Sequence, residues 1–465
     1  MTEHRKWESV DNLIREVKEK LHGREKLSCL FERCYANTLH TTVRELADGD
    51  TYVITGDIPA MWLRDSAAQM RPYLIPARKA PALAELIAGV VRRQFFYINI
   101  DPYANAFNET ANGACWDKND LQRNDWLWER KYEVDSLCYP IQLAWLLWKS
   151  TGCASQFNED FQRGAEKIIQ TFRREQNHEK NSSYRFVREN TYFTDTLSRE
   201  GKGVLVKGDI GLTWSGFRPS DDACTYGYLI PSNMFAAVVL GYLEEIEKTV
   251  YHNEQMQKEA ACLRQQVEEG IGRYGIVETE DYGKIYAYEV DGFGQYNLMD
   301  DANIPSLLSL SYLGYQGDAE MMQNTRRFIL SEANPYYYRG KFARGIGSPH
   351  TPVNHVWHLS LIMQGMSSTD EKEKEDILRM LSEMDAGTGM MHESMHVDDP
   401  SRYTREWFSW ANALFCEWIL DICGYKIEGG NNHGSTVQKI DRKRFGDFHR
   451  NENPSTPGRG SDRGD

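Results

Sequence analysis

The chain has 465 residues, 41% of them hydrophobic, which is enough to bury one large core or several smaller ones. Its net charge of -14 is spread without any block of like charges, which argues against a nucleic-acid or anionic-membrane partner and favours a neutral ligand. The N-terminal MTEHRKWESVDNLIREV lacks a signal-length apolar core, no apolar run approaches a membrane span, and nine scattered cysteines form no C-x-x-C pair, so the expected location is the cytoplasm.

Apolar residues three and four apart recur from end to end, the spacing of amphipathic helices, while strand-like alternation is short and rare. Val10, Leu13, Ile14, Val17 and Leu21 make the first stripe. A polar loop at 55–66 follows, and then a more apolar helix over residues 83–98, entered after Pro81. Helices are predicted over 134–149 and 157–174, and a small strand or hairpin around 192–197. Further helices follow over 233–248 and 255–270, with small strands within 276–290. The last set covers 304–313, 319–331, 353–366, 371–384 and 405–422. With weaker candidates included the count is about a dozen, the number a closed ring of helix pairs needs. The fold class is therefore mainly α, with small β decorations in its loops. Composition changes at Glu428, so residues 1–427 read as one domain and 428–465 as a polar, disordered tail close to neutral in charge.

The unusual residues concentrate in the loops, where function is commonly built. TGDIPAMWLRDS packs Asp57, Trp62, Arg64 and Asp65 around a glycine and a proline. Carboxylates and a guanidinium hold hydroxyl pairs, and an indole lies flat on the C-H face of a pyranose, so the mixture suits a sugar. A buried Arg-Asp pair beside a core Trp would give the same pattern. Two other loops, SGFRPSDDACTYGY from Ser215 and DAGTGMMHESMHVDDP from Asp385, carry further carboxylates. Inverting glycoside hydrolysis needs one carboxylic acid and one carboxylate base on opposite faces of the sugar. Asp221 or Asp222 suits the acid, since adjacent carboxyls raise one another's proton affinity, and Glu393 suits the base. An N-cap role is the alternative for the Asp pair.

His392-Glu393-Ser394-Met395-His396 also matches H-E-x-x-H. A zinc site of that kind needs both histidines on one helical face. Here the segment lies between Gly389 and Pro400, with little room for a helix. No loop has the spacing that cradles a phosphate or a dinucleotide, which disfavours a nucleotide enzyme.

Taken together, TGDIPAMWLRDSAAQMRPYL, WERKYEVDSLCYP, GLTWSGFRPSDDACTYGYLIPSNMFA, MDDANIPSLL, GIGSPHTP and HESMH resemble glycoside hydrolase family 125, bacterial exo-α-1,6-mannosidases. The resemblance spans residues from about 10 to 427 and leaves out the tail. It implies an (α/α)6 barrel, release of single non-reducing α-1,6-linked mannose residues, inversion, and no metal or other cofactor. Carried onto this chain, it implies Asp221 as general acid, Asp222 as a sugar-hydroxyl ligand and Glu393 as general base. Arg64 and Asp65 match the mannose-binding pair, supported by Trp62, Glu133, Arg218, Asp301 and His350. The expected partner is a mannose oligosaccharide, α-1,6-mannobiose or an N-glycan fragment. A zinc metalloprotease using HESMH and a non-catalytic mannoside-binding protein are the rival readings.

Overall fold

The structure, a computed structural model, describes residues 7–189 and 191–429. Thirteen helices carry the architecture: α1 (Glu8–Lys20), α2 (Glu25–Asn37), α3 (Leu63–Met70), α4 (Pro81–Ile100), α5 (Val134–Thr151), α6 (Glu159–Glu175), α7 (Ile230–Ile246), α8 (Glu254–Tyr274), α9 (Leu310–Leu313), α10 (Ala319–Ile329), α11 (His358–Met366), α12 (Glu371–Glu383) and α13 (Ser409–Ile422). From α2 onward they alternate outer and inner around an (α/α)6 toroid, and α1 packs outside on α2. Inner helices touch their ring neighbours, α13 on α3, α3 on α5, α5 on α7, α7 on α9 and α11 on α13.

Patterning explains which helices go inside. Every residue of α3 and of α11 is buried, the polar Arg64, Asp65, Ser66 and Gln69 of α3 included. Outer α6 instead buries only Phe161, Gly164, Ala165, Ile168, Ile169, Thr171, Phe172 and Glu175, and its N-terminus is capped by the Asn158 side chain accepting from the Phe161 amide. The inner helices are entered through extended residues: Trp62 before α3, Glu133 before α5, Leu229 before α7, Trp357 before α11 and Phe408 before α13. Segments leading into these N-termini build the site. Short antiparallel sheets brace them. Strands β1 (Met61–Trp62), β2 (Ala106–Phe107) and β3 (Leu127–Glu129) form one sheet, and β4 (His355–Trp357), β5 (Ser394–His396) and β6 (Asp399–Thr404) another.

Several predicted elements change. The helix over 304–313 shrinks to α9, because the Asp300 carboxylate accepts the Leu307 and Leu308 amides and the Ser306 and Ser309 hydroxyls bond each other's backbone amides. Residues 192–197 form a 3-10 turn, Phe193–Asp195, rather than a strand. Residues 355–357 are strand β4, and α13 starts four residues later than its periodicity suggests. Helices α2 and α3 were not singled out by periodicity. The predicted strands within 276–290 are present as a hairpin, Ile276–Thr279 with Gly283–Tyr286, followed by Glu289–Val290. The polar tail expected from 428 lies, from 430 on, outside the described residues.

Candidate active site

The loop at 55–62 is fastened to the segment before α13. Ser409 donates to the Thr55 carbonyl at 3.0 Å, Asp57 to the Trp407 carbonyl at 3.3 Å, and Gly56 bridges Phe408. Gly56 has φ 130°, and a Cβ there would stand 2.5 Å from the Trp407 oxygen, so only glycine permits this approach. The contact brings Arg405 onto Asp57, with Nη2 2.5 Å from Oδ1, and places another of its nitrogens 3.7 Å from Glu393 Oε1.

Trp62 ends β1, and Arg64 and Asp65 open α3. The Arg64 guanidinium is buried among four acids: it bonds Glu133, and lies 3.3 Å from Asp135, 3.3 Å from Asp221 and 3.6 Å from Asp65. Glu133 is fixed by the extended backbone that starts α5 and by the Ser136 hydroxyl at 2.7 Å. Asp221 sits in a tight turn closed by Arg218 and Asp222 backbone bonds, at φ 67°, a left-handed conformation that aspartate adopts more readily than most residues. Its Oδ1 accepts from Asn105 at 3.2 Å, and its carbonyl from Lys131 Nζ at 2.7 Å.

These neighbours set the protons. Burial pushes the Glu133 carboxyl well up, more than Arg64 pulls it down. Burial also pushes Asp221 up, but Arg64, a hydrogen bond from Glu133, Lys131 and His350 together hold it well below the usual carboxylate range. Burial raises Asp65 to about 6 against the charges of Arg64 and Arg405. His350 is opposed by burial, yet Asp222, at 3.1 Å from Nδ1, with Glu393 and Asp221, pushes it up to about 9.

A pocket enclosing about 390 Å³ of empty space collects these groups. Six of the ten residues nominated from sequence line it: Trp62, Arg64, Asp65, Asp221, His350 and Glu393. The other four stand behind the wall. Asp222 bonds His350; Arg218 pairs with Glu289 at 2.6 Å; Asp301 accepts from Asn303 and Ser348; Glu133 bonds Arg64. Lining residues that sequence reading passed over are Asn303, Trp357, Arg405, Phe408 and Trp410, among others. Residues 357, 405 and 408 fell inside predicted helices, and Asn303 had only the D-D-A-N cluster as a signal. Trp357, Phe408 and Trp410 meet edge to face at ring-centroid separations of 6.3 and 6.0 Å, an apolar wall beside the acids. Among the described residues, Trp62 Nε1, Arg64 Nε and Ser220 Oγ find no hydrogen-bond partner, leaving donors for a polyhydroxylated ligand.

The H-E-x-x-H segment does not form a zinc site. Ser394–His396 is strand β5 and His392 precedes it, so the two histidines do not share the helical face such a site needs. His392 bonds the Glu406 carbonyl and Thr388 and stacks on Tyr403, while His396 faces His355. Among the described residues, no group of three His, Cys, Asp or Glu side chains is arranged to hold a metal ion.

The chain matches the family described as metal-independent alpha-mannosidase (GH125) over residues 24–420. The Meiotically up-regulated gene 157 protein of Schizosaccharomyces pombe is 41% identical over 437 residues, 89% of this chain and 85% of that protein. A Streptococcus pneumoniae protein from work on metal-independent alpha mannosidases, solved as a non-productive substrate complex with α-1,6-mannobiose, is 50% identical. It superposes with a TM-score of 0.89 over 90% of this chain and 99% of its own. A glycosidase at 12% identity and TM-score 0.50, covering 87% of this chain and 98% of its own, shares the fold alone.

Proposed function

This chain belongs to the metal-independent α-mannosidases of glycoside hydrolase family 125, and we propose that it removes single non-reducing-terminal α-1,6-linked mannose residues with inversion at the anomeric carbon. The observation that carries this reading is two carboxyls in one pocket with different partners: Glu393 beside the Arg405 cation, and Asp221 beside Arg64 and Asn105. Glu393 is the general base: it takes a proton from the water that attacks C1. Asp221 is the general acid: protonated once the sugar has displaced water around it, it gives that proton to the glycosidic oxygen as the bond breaks.

Entry of a sugar expels water and strengthens the burial that favours a neutral Asp221. Arg64 and Asp65 grip hydroxyls of the terminal mannose, Trp62 packs on its C-H face, and His350 contributes a cation at the rim. Asp222, Arg218, Asp301 and Glu133 hold these groups in place from behind. A pocket rather than an open groove suits removal of one terminal unit. The mannobiose bound to the 50% identical Streptococcus pneumoniae relative supports the linkage.

N-glycan fragments are the natural oligosaccharides on this reading. Nine free cysteines suit a reducing cytoplasm, and no helix among the described residues is long and apolar enough to cross a membrane. Recovery of the protein outside the cytoplasm on cell fractionation would reject that location.

The decisive measurement is anomeric proton NMR during hydrolysis of α-1,6-mannobiose. Early β-mannose is the expected product, and early α-mannose would refute inversion. Glu393→Gln should lower kcat by about 10²- to 10⁴-fold while still binding mannobiose; unchanged turnover would remove Glu393 as the base.

A further inference from the structure

Eight large hydrophobic side chains stand exposed among the described residues, and four of them sit on two neighbouring loops: Trp116 and Leu121 on one, Tyr192 and Phe193 on the other. Tyr192 and Phe193 are 84% and 87% exposed and adjacent in the chain, so together they make a contiguous apolar surface rather than a single scattered side chain. Their backbone is nonetheless firmly held. The Asp195 carboxylate, at the end of the same 3-10 turn, takes both oxygens to Arg188 at 2.9 Å and accepts from Lys131 at 2.6 Å and Thr191 at 2.8 Å. Arg188 is itself buried and also grips Asp120 and Glu129, which ties the two aromatic-bearing loops together.

The turn is attached to the acid's own loop. Ala223 donates its amide to the Thr194 carbonyl at 2.7 Å, so Phe193 stands one hydrogen bond and a few residues from Asp221. Lys131 repeats the link, bonding both Asp195 and the Asp221 carbonyl. A general acid faces the oxygen of the leaving group, so the remainder of the oligosaccharide leaves the pocket on the acid's side of the mouth. Two exposed rings on a pre-ordered turn tied to the acid's own loop offer a stacking surface for pyranose C-H faces at little ordering cost.

We propose that Tyr192 and Phe193 form a distal platform that binds the reducing-end sugars of mannose oligosaccharides longer than two units. This rests on the reading of Asp221 as the acid of an exo-mannosidase. The platform leaves the bond-breaking step alone and acts on affinity for long substrates.

The test compares α-1,6-mannobiose with α-1,6-mannotetraose for the wild type, the double variant Tyr192→Ala/Phe193→Ala, and Phe193→Trp. The double variant should keep its kcat/KM on mannobiose within twofold, and its KM for mannotetraose should rise about 3- to 10-fold. Phe193→Trp, which retains a ring, should keep the wild-type KM for both. An equal loss on both substrates, or an unchanged KM for mannotetraose, overturns the platform and leaves the rings as an apolar surface for another protein. A wild type that cleaves neither substrate brings down the mannosidase reading itself, and the platform with it.

Discussion

Glu247 opens a π-helical turn after α7 with its side chain fully buried, and neither carboxylate oxygen has a hydrogen-bond partner. Burial alone pushes its carboxyl from 4.5 up to about 7. An acid whose folded value is raised makes the folded state bind the proton more tightly, so stability is lost as pH rises from about 4.5 through 7. A difference of about 2.5 between folded and unfolded values corresponds to about 3 kcal/mol at full ionisation. About 0.8 kcal/mol of this is already lost at pH 5 and nearly all of it at pH 8, a separation of about 2.5 kcal/mol.

Glu247→Gln keeps the shape and removes the ionisation, so its stability relative to wild type should improve by that amount between the two pH values. With about 2.1 cal/mol/K of unfolding entropy per residue over roughly 420 described residues, 2.5 kcal/mol is about 3 °C in Tm. Scanning fluorimetry of both proteins at pH 5 and pH 8 reads it directly. The unpaired amide costs the variant equally at both values, so only the change in the Tm difference matters. A Tm difference independent of pH would refute the reasoning and mean that the buried carboxyl finds a partner.

Two further outcomes follow from the site. Treatment with EDTA and removal of the chelator should leave kcat unchanged, because His392 is bonded to Thr388 and the Glu406 carbonyl and His396 lies in strand β5 rather than on a helical face with it; activity lost to EDTA and restored by zinc would refute this. The His350 imidazolium, held by Asp222, Glu393 and Asp221, persists to about pH 9, so kcat/KM should decline above that pH as the proton leaves. His350→Gln should lower activity and abolish that alkaline limb, and an unaltered limb in the variant would assign it to another group.

The sequence by itself determined the mainly helical class and the chemistry of the loops. Both are local properties. Spacings of three and four decide which face of a helix is buried, and the largely apolar α11 reads as a helix enclosed on all sides, whereas the four polar residues of α3 hide it from that pattern. Carboxylates, Arg64 and Trp62 stand out in the sequence as groups able to hold a sugar because residue type carries that chemistry wherever it sits. Tertiary structure decided which of these groups meet. The last three residues of HESMH became strand β5 because β4 and β6 lie on either side to pair with them, a fact no window of five residues contains. Asp222 went behind His350 while Asp221 faced the pocket, since the left-handed turn at Asp221 turns neighbouring side chains apart. Arg405 reached Glu393 and Asp57 only when ring closure set the entry to α13 against the entry to α3, some 350 residues earlier in the chain. The opposite shifts of the Glu133 and Asp221 carboxyls have the same origin: they depend on how many cations and how much water surround each group, and packing across the ring decides both.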